Sequence, residues 1–239
     1  MSEPRDRIEI VSFTTEEELC PYLHDRPSRQ RISVVGQLSP SEYGRLLAAG
    51  WRRFGSVLFQ PGCDDCSECV PIRVLVKRFE PSKSQRRVLR RNRDLRLEIG
   101  EPRVDEERLQ LYHRFHEERA RSRGWTLRDL SALEYAETFV ENASSTLEFR
   151  YFLEKRLVGV AYVGDARDSL NSIYAFSDPA HARRSLGTFD VLEELAEARR
   201  RGKDHLYLGF LVKDCLSMSY KASFRPHELL KNRTWTADS

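Results

Sequence analysis

The 239-residue chain contains no apolar run long enough to cross a bilayer; stretches such as Leu157 to Val163 fall far short of the roughly 20 residues a membrane helix needs. Its opening, MSEPRDRIEI, has no apolar h-region, so a cytoplasmic protein that does not engage membranes is expected. Cysteine is scarce and odd in number, with Cys20, Cys63, Cys66, Cys69 and Cys215. Five thiols in a reducing compartment argue against a disulfide framework. Internal repeats and low-complexity segments are missing. Net charge is only +3, from 40 Lys and Arg against 37 Asp and Glu, so the chain is not uniformly adhesive to polyanions. What it does have is 40% hydrophobic and 10% aromatic residues, enough for a substantial core and the wrong composition for disorder.

The charge is unevenly spread. Between Arg73 and Arg103 there are 11 Lys and Arg against 4 Asp and Glu. A basic block on a near-neutral chain predicts a patch for an anionic partner. Its densest part, Lys83 to Asp94, is helix-compatible, with arginines at 86, 87, 90, 91 and 93 over a broad face. The planar guanidinium donates two hydrogen bonds to a phosphate, which points to nucleic-acid backbone contact by Arg86, Arg87, Arg90 and Arg91.

Hydrophobic periodicity and punctuation predict the rest. Ser39-Pro-Ser-Glu42 reads as a capping box opening a helix over 40–49, with Gly50 as its stop. Strands are expected at 56–60, 71–79 and 95–99, with a Cys-rich turn at 61–70. Pro102 marks a break, taken as a boundary between a smaller mixed domain, 1–101, and a second domain, 102–239. In the second, helices are expected over 106–123 and from Ser131-Ala-Leu-Glu134 to about 142. Strands follow at 147–153 and 157–163, joined as a hairpin, then a strand at 170–176, a helix at 187–201 and a strand at 205–210. The resulting fold class is α/β (α+β), and the order of elements fits a GNAT-type acyltransferase architecture in the C-terminal half.

Cys63-Asp-Asp-Cys66-Ser-Glu-Cys69 places three thiols at spacing three. With Cys20 they make a candidate tetrahedral set for zinc or an iron–sulfur cluster; the alternative is reduced thiols in a packed turn. Arg184-Ser-Leu-Gly187 opens a helix and suits an anion, because helix N-termini present unpaired N–H groups. Phe189 stands where a CoA-binding turn has a small residue and is expected to crowd a pyrophosphate. Near the C-terminus, Tyr207 to Pro226 mixes aromatics with cations, a composition suited to stacking and carboxylate binding.

Read together, these segments resemble a known family. Cys20-Pro-Tyr-Leu23, Gly50-Trp-Arg-Arg53-Phe-Gly55, Cys63-x-x-Cys66-x-x-Cys69-Val-Pro71-Ile-Arg73 and Ser84-Gln-Arg-Arg87-Val-Leu-Arg-Arg-Asn92 look like the N-terminal half of arginyl-tRNA–protein transferases. Tyr174-x-Phe176-x-Asp178-Pro179, Ser185-Leu-Gly187, Tyr207-Leu-Gly209 and Met218-x-Tyr220-Lys221-x-x-Phe224-Arg225-Pro226 resemble their C-terminal half. The likeness spans residues 12–235, and the short, Cys-triplet form is similar to the bacterial, leucine-transferring branch. It departs from eukaryotic members at Leu23, where they have a second cysteine, and at Lys213, where they usually have histidine.

The resemblance implies transfer of an amino acid from aminoacyl-tRNA to a protein with N-terminal Asp or Glu, marking it for degradation. Leucyl-tRNA is the expected donor and arginyl-tRNA the alternative; no CoA, no DNA and no obligatory cofactor are implied. An activated ester and an amine need chiefly proximity and proton transfer. Asp178 is expected as proton acceptor, its bland alternative being a cap on the turn before Pro179, with Tyr174 and Tyr207 lining the same cleft. Arg53, Arg73, Lys213, Lys221 and Arg225 are candidates for the acceptor's acidic side chain. Arg184 and Gly187 join the basic helix in holding tRNA. The rivals are a CoA-dependent N-acetyltransferase and a zinc-dependent nucleic-acid-binding module.

Overall fold

The structure, a computed structural model, describes residues 9–237. The chain begins with β1 (Glu9–Thr14), the short β2 (Glu18–Leu19) and β3 (Pro27–Ser28), and β4 (Gln30–Val35). Helix α1 (Pro40–Ala48) follows and opens on the expected capping box: Ser39 accepts from the Glu42 N–H, and Glu42 Oε2 accepts from the Ser39 N–H at 2.7 Å. Next come β5 (Arg52–Phe54), β6 (Val57–Pro61), β7 (Val70–Leu75), α2 (Lys83–Arg91) and β8 (Leu95–Gly100). Four of these strands form a small antiparallel sheet in the order β1-β4-β6-β5. Strand β1 is exposed along its whole length, so it carries no alternation of burial to announce it.

The second half contributes α3 (Glu106–Arg123), α4 (Ala132–Tyr135), β9 (Thr146–Leu153), β10 (Arg156–Asp165), β11 (Ser169–Ser177), α5 (Leu186–Arg200), β12 (His205–Leu211), α6 (Leu216–Ser219), β13 (His227–Lys231) and β14 (Thr234–Ala237). An eight-stranded sheet runs β14-β13-β7-β12-β11-β10-β9-β8. Strands β7 and β8 precede the expected boundary at 101/102, yet they pair with β12 and β9 beyond it. Ile72 and Val74 share one core with Phe149, Val158 and Leu206. The boundary therefore falls within a shared core and does not separate two.

Helices α2 and α5 cover one face of this sheet, burying Phe189, Leu192 and Leu195 against it. On the other face, α3 and the 132–140 segment pack Tyr112, Tyr135 and Phe139 onto Val160 and Tyr162. The small sheet and α1 bury Tyr43, Leu47 and Leu58 with Tyr207. Two elements depart from expectation. The strand at 71–79 stops at Leu75, where the chain tightens into a 3₁₀ turn over Val76–Arg78. The helix from Ser131 is capped as expected but continues beyond Tyr135 as a π turn, Ala136–Val140. That change of pitch lets Tyr135 and Phe139 both pack on Tyr112, with ring centroids 5.7 and 6.0 Å away.

Candidate active site

The sheet opens between β11 and β12. These are neighbours in parallel, but only Ser169, Leu170 and Asn171 pair with His205, Leu206 and Tyr207; past that point the ladder ends. Two irregularities bend the strands apart. On β11, Ile173 is an extra residue against β10, between the Tyr162↔Tyr174 and Val163↔Ser172 pairs. On β12, pairing with β7 breaks between Tyr207 and Phe210, where Gly209 adopts φ +79°, a left-handed conformation that favours glycine. An aromatic chain spans the gap on the small-sheet side: Phe210 packs on Phe59, Phe59 stacks on Phe54 at 5.6 Å, and Phe54 meets Tyr174 edge-on.

Buried charge gathers on both sides of this split. On the β12 side, Arg52 of β5, 4% exposed, donates to the Gly209 carbonyl at 3.0 Å and the Leu47 carbonyl at 3.3 Å, and lies over the Tyr207 and Phe210 rings. Its Nε is buried without a hydrogen-bond partner. Lys221 donates to the Phe210 carbonyl at 2.8 Å. Burial, with Arg52 nearby, pushes its ammonium down to about 7, and burial pushes Arg52 down to about 10. Carbonyls that a continuous sheet would pair are thus held by cations. Across the split, α5 buries Asp190 and Glu194 against Tyr151 of β9 and Ser172 of β11. Among the described residues, no ion pair joins either acid to a cation, or Arg52 or Lys221 to an acid.

A basic rim adjoins this region. Helix α2 opens on a capping box at Ser82, and Arg86, Arg87, Arg90 and Arg91 are all exposed. Its C-terminal end docks on the segment before α5: Arg91 donates to the Arg183 carbonyl at 2.5 Å, Arg184 to the Arg91 carbonyl at 3.1 Å, and Asn92 to the Arg184 carbonyl at 2.9 Å. Arg91, Arg183 and Arg184 line an open cleft of about 610 Å³. Arg91 and Arg184, 93 apart in sequence and singled out separately for anion binding, here share one surface. Gly187 is exposed at the start of α5 with open space around it.

The other candidates are dispersed. Asp178 accepts from the Ala180 N–H as a cap and pairs with Arg156 at 2.6 Å, so its carboxylate is committed to the turn. Tyr174 bonds His116 Nε2 at 2.8 Å and packs in the aromatic cluster against α3. Tyr207 belongs to the cluster around α1, where its hydroxyl accepts from Arg73 at 3.3 Å. Asp178 stands apart from the other two, whose rings border the split through Phe54 and Arg52. Arg53 is 1% exposed and donates from both Nη atoms to Gly55, Asn142, Ser144 and Thr146 while lying over the Tyr43 ring, so its guanidinium is held within the fold. Arg73 pairs with Glu228 at 2.6 Å. Lys213 and Arg225 are exposed. Lys221 alone of the five lies at the split, and its companion there is Arg52, the neighbour of the residue expected. Phe189 does not crowd the start of α5, because it is turned into the core against Tyr151.

The cysteines are all free thiols. Among the described residues no three His, Cys, Asp or Glu side chains converge as a metal-holding group, so the ligand set expected from Cys20, Cys63, Cys66 and Cys69 is not assembled in this structure. Instead Cys20 Sγ accepts from the Leu23 N–H at 3.4 Å and Cys63 Sγ from the Arg29 N–H at 3.5 Å. Burial, with the neighbouring thiols, pushes the Cys69 thiol up to about 12.

The site is thus one split α/β sheet with buried charge at the gap and a basic rim of exposed arginines beside α5. The family model described as "Arginine-tRNA-protein transferase, N terminus" matches residues 18–87, and the one described as "Arginine-tRNA-protein transferase, C terminus" matches residues 107–231. A protein of Campylobacter jejuni named aspartate/glutamate leucyltransferase is 36% identical over 222 residues, 92% of this chain and 93% of its own. A Marinobacter nauticus protein of the same name is 37% identical over 227 residues, 95% of each. A solved structure described as "The structure of L-PGS from Bacillus licheniformis" covers 71% of this chain and 58% of its own at 14% identity, with a TM-score of 0.46. The chain belongs to the arginine-tRNA–protein transferase family. No helix among the described residues is long and apolar enough to cross a membrane.

Proposed function

We propose that this chain transfers leucine from leucyl-tRNA to the N-terminal amine of proteins that begin with Asp or Glu, acting in the cytoplasm and marking its targets for proteolysis. Near-full-length identity to proteins named aspartate/glutamate leucyltransferase carries the reading. The basic rim of Arg86, Arg87, Arg90, Arg91 and Arg184 supports it as the surface for tRNA, because guanidinium groups pair well with phosphate. The gap between two parallel strands, followed by a helix that starts beside the basic rim, is read as a GNAT-like catalytic arrangement.

In this reading the acylated end of the tRNA passes from the rim into the split. The aromatic run Phe210, Phe59, Phe54 and Tyr174 suits an apolar leucyl side chain, which gains by leaving water. Lys221, with Arg52 beside it, takes the carboxylate of the acceptor's first residue. A neutral N-terminus would offer no anion to the buried Arg52 guanidinium and nothing to hold the proton on Lys221, the physical basis for rejecting it. The attacking α-amine has an ordinary pKa of about 7.7–8.0, so an appreciable fraction of it is neutral at cellular pH. Holding it against the ester supplies most of what the reaction requires.

Transfer of labelled leucine and labelled arginine from their tRNAs, each to Asp-, Glu- and Ala-starting peptides with acetyl-CoA as a control donor, tests the proposal. Leucine transfer to the two acidic peptides is the expected result. Arginine transfer instead would reassign the donor, and acetyl transfer alone would overturn the reading.

A further inference from the structure

Two acids of α5 are buried where a structural account gives them little to do. Asp190 is 3% exposed and Glu194 is fully enclosed, one helical turn apart on the face turned toward the sheet. The Tyr151 hydroxyl donates to Asp190 Oδ1 at 2.7 Å. Neither carboxylate oxygen of Glu194 has a hydrogen-bond partner of normal geometry, although the Ser172 hydroxyl faces it from β11. Ser172 directly follows Asn171, the last β11 residue to pair with β12, so Glu194 sits at the apex of the split. The remaining titratable neighbours are Glu193 on the same helix and Tyr220, half-exposed, on the segment that leads in from solvent. None of these supplies a positive charge.

Leaving a carboxyl buried and unpaired costs free energy, and an all-apolar interface at these positions is more stable. A ligand that brings a transferable proton to this point accounts for the pair. Resting on the reading above, we propose that Asp190 and Glu194 are the acid–base pair of the transfer, contacting the acceptor α-amine and the ribose oxygen of the donor ester.

The step balances on one shared proton. The neutral amine nitrogen attacks the ester carbonyl carbon and the C–N bond forms. The ionised carboxylate of the pair takes the proton released from nitrogen. The C–O bond to the ribose breaks, and the protonated carboxyl gives its proton to the departing oxygen. The pair ends, as it began, with a single proton. Burial supports this sharing: it raises both groups, Asp190 to about 7, and Asp190's charge adds to the rise of Glu194. Carboxyls raised from their ordinary range are better matched to proton transfer at cellular pH.

The test uses Asp190→Asn and Glu194→Gln in the full chain, with leucyl-tRNA as donor and an Asp-starting peptide as acceptor. Single-turnover transfer is followed against pH, and binding of leucyl-tRNA is measured separately. We expect each variant to lose roughly a hundredfold or more in the transfer rate, with tRNA affinity unchanged and the limb of the rate profile near pH 7 abolished. Thermal melting identifies a variant that has failed to fold; Glu194→Asp, which keeps the acid, then serves as the second probe and should restore part of the rate along with the pH limb. Folded variants that transfer at the parent rate with the parent's pH profile would overturn the assignment. A parent protein that moves no leucine would instead sink the functional reading beneath it.

Discussion

Arg184 grips Asp94 with two parallel hydrogen bonds, Nη1 to Oδ1 at 2.8 Å and Nη2 to Oδ2 at 2.9 Å. The pair ties the end of the basic helix to the segment that precedes α5, and the guanidinium holds the Asp94 carboxyl below its ordinary range. The pair is partly exposed, with the two side chains 22% and 49% open to solvent, so its value to stability is small, about 1 kcal/mol. Its consequence is registry: it keeps Arg91 and Arg183 on one cleft.

From this follows a prediction for the rim. Arg86→Ala/Arg87→Ala/Arg90→Ala should weaken tRNA binding without altering the fold, because all three side chains are exposed. Between roughly 50 and 200 mM salt, the slope of log affinity against log salt should become shallower by about 0.9 for each phosphate that is no longer neutralised. Filter binding across that range measures it. Parent-like affinity and slope in the triple variant would remove the rim from the interface.

A second prediction concerns a charge pair away from the split. Arg108 and Glu148 are 2% and 0% exposed and joined by hydrogen bonds of 2.7 and 2.9 Å, and the Tyr162 hydroxyl adds another to Glu148 at 3.2 Å. Glu148→Gln leaves the buried Arg108 guanidinium with only the partly exposed Asp105 carboxylate as counter-charge and should cost about 3 kcal/mol. Arg108→Met with Glu148→Leu removes both charges and should cost markedly less. Urea unfolding of the two variants decides; equal losses would mean that packing, not charge, dominates there.

Some of this architecture is legible in the chain because its signals are local. Ser39 with Glu42, and Ser131 with Glu134, announce helix starts through a hydrogen-bond exchange complete within four residues. The 147–163 hairpin shows in its alternation, and the basic helix in its density of arginine. The split depends on parity and on distant partners, which local signals do not carry. Arg52 and Arg53 are adjacent on a three-residue strand and point opposite ways, Arg52 to the Gly209 carbonyl and Arg53 to Asn142 and Thr146. Nothing in their own sequence says which faces the gap. Asp190 and Glu194 carry no local sign of burial; only the packing of α5 on β11 encloses them. Asp178 stands out for a sound local reason, a cap before proline, and that cap uses up its carboxylate.

Lys221 makes the pH behaviour of the molecule specific. Its folded-state value, about 7, lies below the 10.5 of an ordinary lysine. Between those two values the folded state has lost the proton while the unfolded state keeps it, so the unfolded state binds more protons and stability rises with pH across that window. Below about pH 7 both states are charged, and this contribution to the slope vanishes. Lys221→Met should therefore flatten the rise in unfolding free energy between pH 7 and 10 that the parent shows. An acidic peptide seated on this group reverses the preference, because its carboxylate favours the charged ammonium. Binding at pH 8 should draw a proton from the buffer, and affinity for Asp-starting peptide should fall as pH rises above 7. Titration calorimetry in buffers of different ionisation enthalpy reads that uptake directly. If an Asp-starting peptide binds at pH 8 with no proton taken up by the parent, or with the same uptake by Lys221→Met, the acidic side chain is held elsewhere.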